Sequence, residues 1–476
     1  MVINADDFYL QNVATTTYLR THSSGQIELT HSGNTKLSTS STGVSVTGKV
    51  VASGEIESAQ DYPTIRPTLD LNFAAVKKLD PRITFYGRSG GGSYVDKYGI
   101  VQIVGANSPR FHHDPETRES KGLLIEPNVA NWIKHGTNLD PSTGWDLNNT
   151  THTLAPDVVA PDGTTGGVWE QIETYSNAYH ASYYTGSIPV TSGQTYTVSA
   201  WIKKGPNYRT DINSGRYMLY CTRGGANPVA SIQLNSDLTY HSKNVCTDHS
   251  VTKYRNGWVR VTYTFISNGT TGNVTPHWLL GNGGSYQGNG VSSMYIWGCQ
   301  FESMPFPTSY IPTNGSVVFR GTDDVTLDGT EFTDVFNPDE GTSVVYAHMP
   351  NSNGASGLPA YTFKNSSVSS VYLGLSVDNN SSPAYHYYHD GTNSGFARAS
   401  ATTDNMYKGA LSFKTSDLDS YVNGSLNSNT TTFTMPTIDN LRIGGTSGAN
   451  YLGGHVARFI YYPVKLTNNQ LITLTS

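Results

Sequence analysis

Cysteine is nearly missing from this chain: three in 476 residues, with no redox spacing, so no disulfide framework is written into it. Charge is sparse as well. Charged residues make up 14%, where about a quarter is usual, and the formal net charge is -6. Gripping nucleic acid takes a basic stripe that displaces counterions, so nucleic acid is not an expected partner. No run of about 18 apolar residues occurs, so no bilayer-spanning helix and no membrane insertion are expected. The opening MVINADDFYLQ lacks the basic and apolar regions of a signal peptide. Synthesis in the host cytoplasm, without export by the standard route, is the expectation. Long stretches of period 3.6 are also absent.

Strand and turn chemistry is abundant. The chain holds 48 Gly, 22 Pro and 31 Tyr, with Ser, Thr and Asn throughout. These residues suit strands and turns and are poor in helix interiors, which makes the chain all-β. Hydrophobic content is only 36%. Either the cores are thin sandwiches, or part of the chain buries its apolar residues against other copies.

Residues 1–60 point to the second option. Ile27, Leu29, Leu37, Val44, Val46, Val50 and Ile56 alternate with polar residues, and glycines punctuate the run. Such short strands cannot build a core alone. Three copies wound around one axis would pool their apolar faces into an intertwined β-stalk, whereas a Ser/Thr-rich disordered leader is the plainer alternative. The stretch GNTKLSTSSTGVSVTGKVVASG resembles stalk segments of bacteriophage tail and head fibres.

Residues 61–130 strengthen that resemblance. LDLNFA, LDPRITFYGRSGGGSYVDKYG and NSPRFHHDPETRESKGLLIE are similar to a linker module of phage fibre proteins. It departs from that pattern at YGRSGGG and at His112 beside His113. In an extended segment His112 and His113 point to opposite faces and do not converge on one ion. Asp80, Arg82, Arg110 and Asp114 read as charge-paired anchors.

Residues 131–320 show a second pattern. VWEQIE, YHASYYTGSIPV, TYTVSAWIKK, YMLYCTR, ASIQLN, GWVRVTYTFI, TPHWLLG and SSMYIWGCQFE alternate as strands with one buried face each, which describes a two-sheet jelly roll. TYTVSAWIKKG, GWVRVTYTF, YIWGCQFE and SYIPT resemble carbohydrate-binding-module-type jelly rolls. The resemblance implies that Trp201 and Trp258 belong to the core. Tyr175 and Tyr179, in YSNAYHASYY, offer flat rings with polar tips for stacking on sugars. They read equally as ordinary strand tyrosines. Cys221, Cys246 and Cys299 read as buried small hydrophobes, with a pairing between two of them left open.

Residues 321–476 resemble a concanavalin-like, laminin-G-like lectin sandwich, on the strength of YVNG, LRIGG, GGHVARFIYYPVKLT and QL. Asn423-Gly424 is a hairpin signal in its own right, because a type I′ turn needs positive φ twice. Enzymes of this fold carry an E-x-D-x-E strand, and none is found here. Nor is there a G-x-S-x-G nucleophile, a Walker loop or an H-E-x-x-H helix. Asp323, Asp324, Asp328, Asp334, Asp339 and Glu340 have the spacing of a solvated turn region. In YHYYHDG, a strand would put Tyr385, Tyr387 and His389 on one face and His386 and Tyr388 on the other, ending at Asp390. This aromatic stripe is a glycan-stacking surface or sandwich packing. The metal content is unknown: a calcium site would lie near Asp378 or Asp390, but no convergent oxygens are visible, and no cofactor is expected.

Together these readings give an all-β chain: an N-terminal intertwined stalk, a linker and two β-sandwich domains. The expected function is that of a virion structural fibre or spike protein, a homotrimeric adhesin without turnover that attaches a phage to host-surface carbohydrate. Its N-terminal region would contact other virion proteins on the tail or capsid surface. Glycan contacts are expected at Tyr385, Tyr387, His389, Asp390, Tyr175 and Tyr179. A polysaccharide depolymerase and a purely structural capsid or tail decoration protein are the alternatives.

Overall fold

A computed structural model describes residues 7–14, 16–41, 43–48, 63, 65–210, 216–222, 229–268, 272–348, 356–368, 371–378, 384–390, 394–399, 406–430, 435–446 and 451–476. Val50 and Ile56 lie outside them. The chain divides into two compact units, Met1–Gln60 and Asp61–Ser476. It is built of antiparallel strands almost throughout. Among the described residues no helix is long and apolar enough to cross a membrane.

The N-terminal unit is one five-stranded antiparallel meander: Phe8–Gln11, Thr17–Thr21, Ile27–His31, Asn34–Ser40 and Gly43–Val46. The strands pair in sequence order within a single chain. Their register aligns Leu10, Leu19, Leu29, Leu37 and Val46 as one row across the sheet. Ile27 and Val44 share that face, two residues along their strands. The opposite face carries Tyr9, Arg20, Glu28, Ser38 and Ser45 in the next row. The apolar face stays open in the single chain, with Leu10 55%, Leu29 41%, Val44 61% and Val46 45% exposed.

In the second unit the first sandwich packs two sheets. One orders the strands Trp145–Asn148, His180–Tyr184, Gly272–Leu280, Tyr217–Thr222, Ala230–Leu234 and Tyr240–Asn244, with Ile188–Val190 beside the third. The other orders Thr150–Leu154, Trp169–Glu173, Ser293–Glu302, Thr195–Lys204, Val259–Ile266 and Asp248–Lys253. Val198, Ala200 and Ile202 meet Leu219, Cys221 and Trp278 between them. Trp201 and Trp258 are buried too, but on the far side of the second sheet, with Trp297 and Tyr310. All three cysteines are free.

The second sandwich closes over a core that includes Val345, Phe363, Leu411, Leu441 and Phe459. Residues from the preceding 61–130 stretch complete it. Leu69–Leu71 and Ser120–Ile125 pair with Gly454–Tyr462, and Thr84–Tyr86 pairs with Asp324–Asp328. The reason is burial: Leu69, Leu71, Phe73, Leu123 and Ile125 find their apolar neighbours in this core. Asn423 and Gly424 take φ of 48° and 76°, the turn their side chains favour. The C-terminal helix Asn468–Thr475 starts with a capping box of Thr467 and Gln470 and lays Leu471 and Leu474 on the outer face.

A buried charge network joins the 88–126 stretch to the connector between the sandwiches. Arg88 Nε lies 3.0 Å from Asp323, Arg110 pairs with both Glu126 (2.6 Å) and Asp323, and Arg320 lies 2.9 Å from Glu126. Ser309 donates to Glu126 from its backbone N–H (2.6 Å) and its hydroxyl (2.7 Å). Burial pushes the Glu126 carboxyl up, but the Arg320 and Arg110 guanidiniums more than reverse this and hold it at about 2. The expectation of a solvated acidic turn is corrected here for Asp323 and Asp324, while Asp328, Asp334 and Asp339 are exposed. Asp323 is fully buried, and Asp324 is held 2.6 Å from Arg442, because arginines distant in sequence face them.

Candidate functional site

The outward face of the first sandwich's Trp145-containing sheet carries an aromatic row. Alternation sends Tyr184, Trp278, Leu219 and Cys221 into the core, so Tyr183, His277 and Tyr220 must point out. Register then makes neighbours of Asp146, Tyr183, His277, Tyr220 and Ser231 across successive strands. The Tyr183 and His277 rings stack at 5.0 Å, and the His277 and Tyr220 rings at 4.4 Å. Tyr179 joins edge-on to Tyr220 at 6.5 Å.

The polar tips of this row are oriented. Tyr183 Oη donates to Asp146 at 2.7 Å. That carboxylate, and burial after it, raises the phenol above its ordinary range. His277 is hydrogen-bonded at Nδ1 to Tyr220 Oη (3.0 Å) and at Nε2 to Thr222 Oγ1 (2.9 Å). Burial pushes its imidazole down to about 4, so it is neutral at pH 7. The result is a fixed stack in which Tyr183 and His277 are partly accessible, while Tyr220 is only 5% exposed and packs with Ala181, Met218 and Leu279. The rings cover one another's faces, so a ring-shaped polyol would meet the edges of Tyr183 and His277 and hydrogen-bond to the Tyr183 hydroxyl and the Asp146 carboxylate.

The residues named from sequence fall differently. Tyr179 lies half-buried in this patch. Tyr175 stands on the turn before Asn177–Ala178 and is 80% exposed. His180, between them and Tyr183, is structural: it is buried and bonded at Nδ1 to the Asn149 carbonyl at 2.7 Å. His277 and Tyr220 were not named from sequence. Period-2 alternation within Tyr217–Thr222 and Gly272–Leu280 marks them as outward, but only the register brings them together.

In the second sandwich, Ala384–Asp390 is a strand, and the predicted alternation holds. His386 is buried and bonded to Ser420 Oγ at 2.6 Å, while Tyr388 joins the core. Tyr387 lies on the other face but is only 7% exposed. It pairs with Gly374, and its hydroxyl shares a 2.7 Å hydrogen bond with Thr362 Oγ1. Tyr372 packs beside it at 5.2 Å and meets His389 at 5.8 Å. Tyr372 and His389 are the partly accessible members of this stripe. The side chains of Tyr385, Asp390 and Asp378 lie outside those described. Among the described residues no group of three or more His, Cys, Asp or Glu is placed to hold a metal ion.

No protein-family model matches this chain, and no curated protein does. Solved structures overlap parts of it. One is the CBM40 of Ruminococcus gnavus IT-sialidase bound to α2,3-sialyllactose, at 17% identity over 29% of this chain and 83% of that one, TM-score 0.26. Another is domain 4 of AbnA, an extracellular GH43 arabinanase from Geobacillus stearothermophilus, in complex with arabinotriose, at 14% identity over 33% and 73%, TM-score 0.28. Trypanosoma rangeli sialidase in complex with the inhibitor DANA overlaps at 12% identity over 65% and 60%, TM-score 0.28. These are partial likenesses at low TM-score.

Proposed function

We propose that this chain is a subunit of a bacteriophage fibre or spike that holds host-surface carbohydrate without turning it over. The observation that carries the binding reading is the partly accessible Tyr183–His277 pair, held against buried Tyr220 and edged by the Asp146 carboxylate. Glycosidic cleavage needs two carboxyl groups flanking one bond. In the row from Asp146 to Ser231 the one carboxylate is Asp146, and it is engaged by Tyr183. The phage assignment rests on the stalk and linker motifs of residues 1–130. The open apolar face of the N-terminal sheet supports association with further copies, and a homotrimer fits the fibre reading. Several weak sites on three chains would then act together. Contact with other virion proteins belongs to the same N-terminal unit, and binding proceeds without a metal.

The test is a glycan array probed with the intact protein, Tyr183→Ala and Tyr179→Ala, read beside reducing-end release from the glycans that bind. Binding that falls at least tenfold in both variants, with no sugar released and no change on adding EDTA, is the expected result. Unchanged binding in both variants overturns the assignment of the site. Release of reducing ends overturns the adhesin reading in favour of a depolymerase.

A further inference from the structure

A second groove lies on the other sheet of the same sandwich, with a volume of about 230 Å³. Its walls are the turn at Gly99 and Ile100, the loop Val159–Pro161, and the turn carrying Tyr254, Arg255 and Asn256. The walls are rigid. Tyr254 sits edge-on against buried Trp201 at 5.6 Å, and Trp258 Nε1 donates to the Val159 carbonyl at 2.9 Å. Val101 N donates to the Pro161 carbonyl at 3.0 Å. Asn256 is held in the left-handed region, at φ 59°, and its side chain is exposed at the rim.

The charge at this groove is what points to a ligand. Arg255 is exposed and donates from Nη1 to the Tyr98 carbonyl at 3.0 Å, which fixes the guanidinium. Lys97 is exposed, with its ammonium 5.0 Å from the Tyr98 ring centroid. Among the described residues neither cation has an ion-pair partner. The neighbouring carboxylates are held by other donors and away from the two cations' ion-pair range: Asp96 accepts from Tyr98 N, Ile100 N and Gln102, Asp162 from Thr164, and Asp114, which faces Tyr254, from Glu116 N and Thr117 N. Tyr98 itself is 54% exposed. Arg255 thus lines a groove with an apolar floor, and the exposed Tyr98 and Lys97 stand on the adjoining turn that Arg255 holds through the Tyr98 carbonyl.

We infer that this groove takes a carboxylated saccharide, with Arg255 and Lys97 receiving the carboxylate, Tyr98 the sugar face and Asn256 a hydroxyl. A guanidinium with free N–H groups matches a carboxylate in charge and geometry, and an aromatic face suits a pyranose ring. The inference deepens the proposed carbohydrate binding by naming an acidic sugar, and it uses residues separate from the Tyr183 row.

The experiment is an array of uronate- and sialate-containing oligosaccharides, each printed beside its carboxyl-reduced counterpart. It is probed with the intact protein, Arg255→Gln, Lys97→Gln and Tyr183→Ala. The expected result is carboxylated glycans bound at least tenfold better than their reduced counterparts, with that preference lost in Arg255→Gln and weakened in Lys97→Gln. Lys97 lies on an exposed turn, so its variant reports even if Arg255→Gln disturbs the fold, which circular dichroism checks. No preference for carboxylated over reduced glycans overturns the inference, as does a preference that survives in both variants. Glycan binding that depends on Tyr183 but not on Arg255 or Lys97 rejects the acidic-sugar groove and leaves the general binding reading standing. Binding lost in neither set rejects both.

Discussion

Replacing Asp323 by Asn should destabilise the second unit by about 3–5 kcal/mol, the usual cost of breaking a fully buried ion pair. Asp323 sits between Arg88 (3.0 Å) and Arg110 and also accepts from Glu126 N at 3.0 Å. The network carries three guanidiniums, Arg88, Arg110 and Arg320, against the carboxylates of Glu126 and Asp323. Its excess is one positive charge; Asp323→Asn makes it two. Asparagine fills the same space, so no cavity forms and the loss isolates charge. The double variant Arg88→Met/Asp323→Asn restores the original excess and should recover part of the loss. Asp80→Asn is the surface control. Its 2.9 Å pair with Arg82 is 37% and 22% exposed, and such pairs are worth about 0–1 kcal/mol. Urea unfolding followed by tryptophan fluorescence measures all three. If Asp323→Asn lies within about 1 kcal/mol of the parent, or the double variant is less stable than the single one, uncompensated charge is not what the network guards against.

Tyr387→Phe removes one hydrogen bond, to Thr362, and should cost about 1 kcal/mol, whereas Tyr387→Ala also empties a buried site and should cost about 3–5 kcal/mol; equal losses on urea unfolding would mean that the ring does not pack. Leu29→Glu, at the centre of the exposed row, should turn an associated full-length protein into a monomer by light scattering; an unchanged mass would separate assembly from this sheet face. Acid should weaken the fold through His386, where burial holds the folded pKa at about 3. The unfolded chain takes up that proton first, so this stability is complete above about pH 6.5 and declines as pH falls towards the folded value. At pH 5 the expected loss is about 2 kcal/mol, and a His386→Gln protein that retains the same slope between pH 7.5 and 5 would count against it.

Strands were legible because alternation is a local property. Thr195–Lys204 and Val259–Ile266 are strands as expected, but both of their faces are buried rather than one, because Trp201, Trp258, Trp297 and Tyr310 form a second core behind the sheet; Asn423-Gly424 forms the turn that its residues demand. Pairing was not legible. Leu69–Leu71 finds Tyr461–Phe459 almost the whole chain away, and nothing in LDL names that partner. The acidic connector shows the same limit. Asp323 among other carboxylates reads as solvated until Arg88 and Arg110, which lie far off in sequence, are folded against it.

Aromatic density misleads for a related reason. YHYYHD is the densest cluster of its module, yet Tyr387 sits opposite Gly374. A Cβ built on Gly374 would come 2.3 Å from the Tyr361 carbonyl oxygen and 3.0 Å from the Tyr387 hydroxyl, so only glycine fits beside that ring. This is a tyrosine covering a glycine, which a sheet uses to keep its backbone pairing shielded. In the first sandwich the same residue type meets no glycine. Tyr183 and Tyr220 sit opposite His277, a ring of similar size, so the three rings stack side by side; Tyr183 and His277 stay partly accessible, whereas Tyr220 is 5% exposed. What a strand tyrosine packs against therefore depends on its cross-strand neighbour. That neighbour is set by register, and register depends on the whole sandwich.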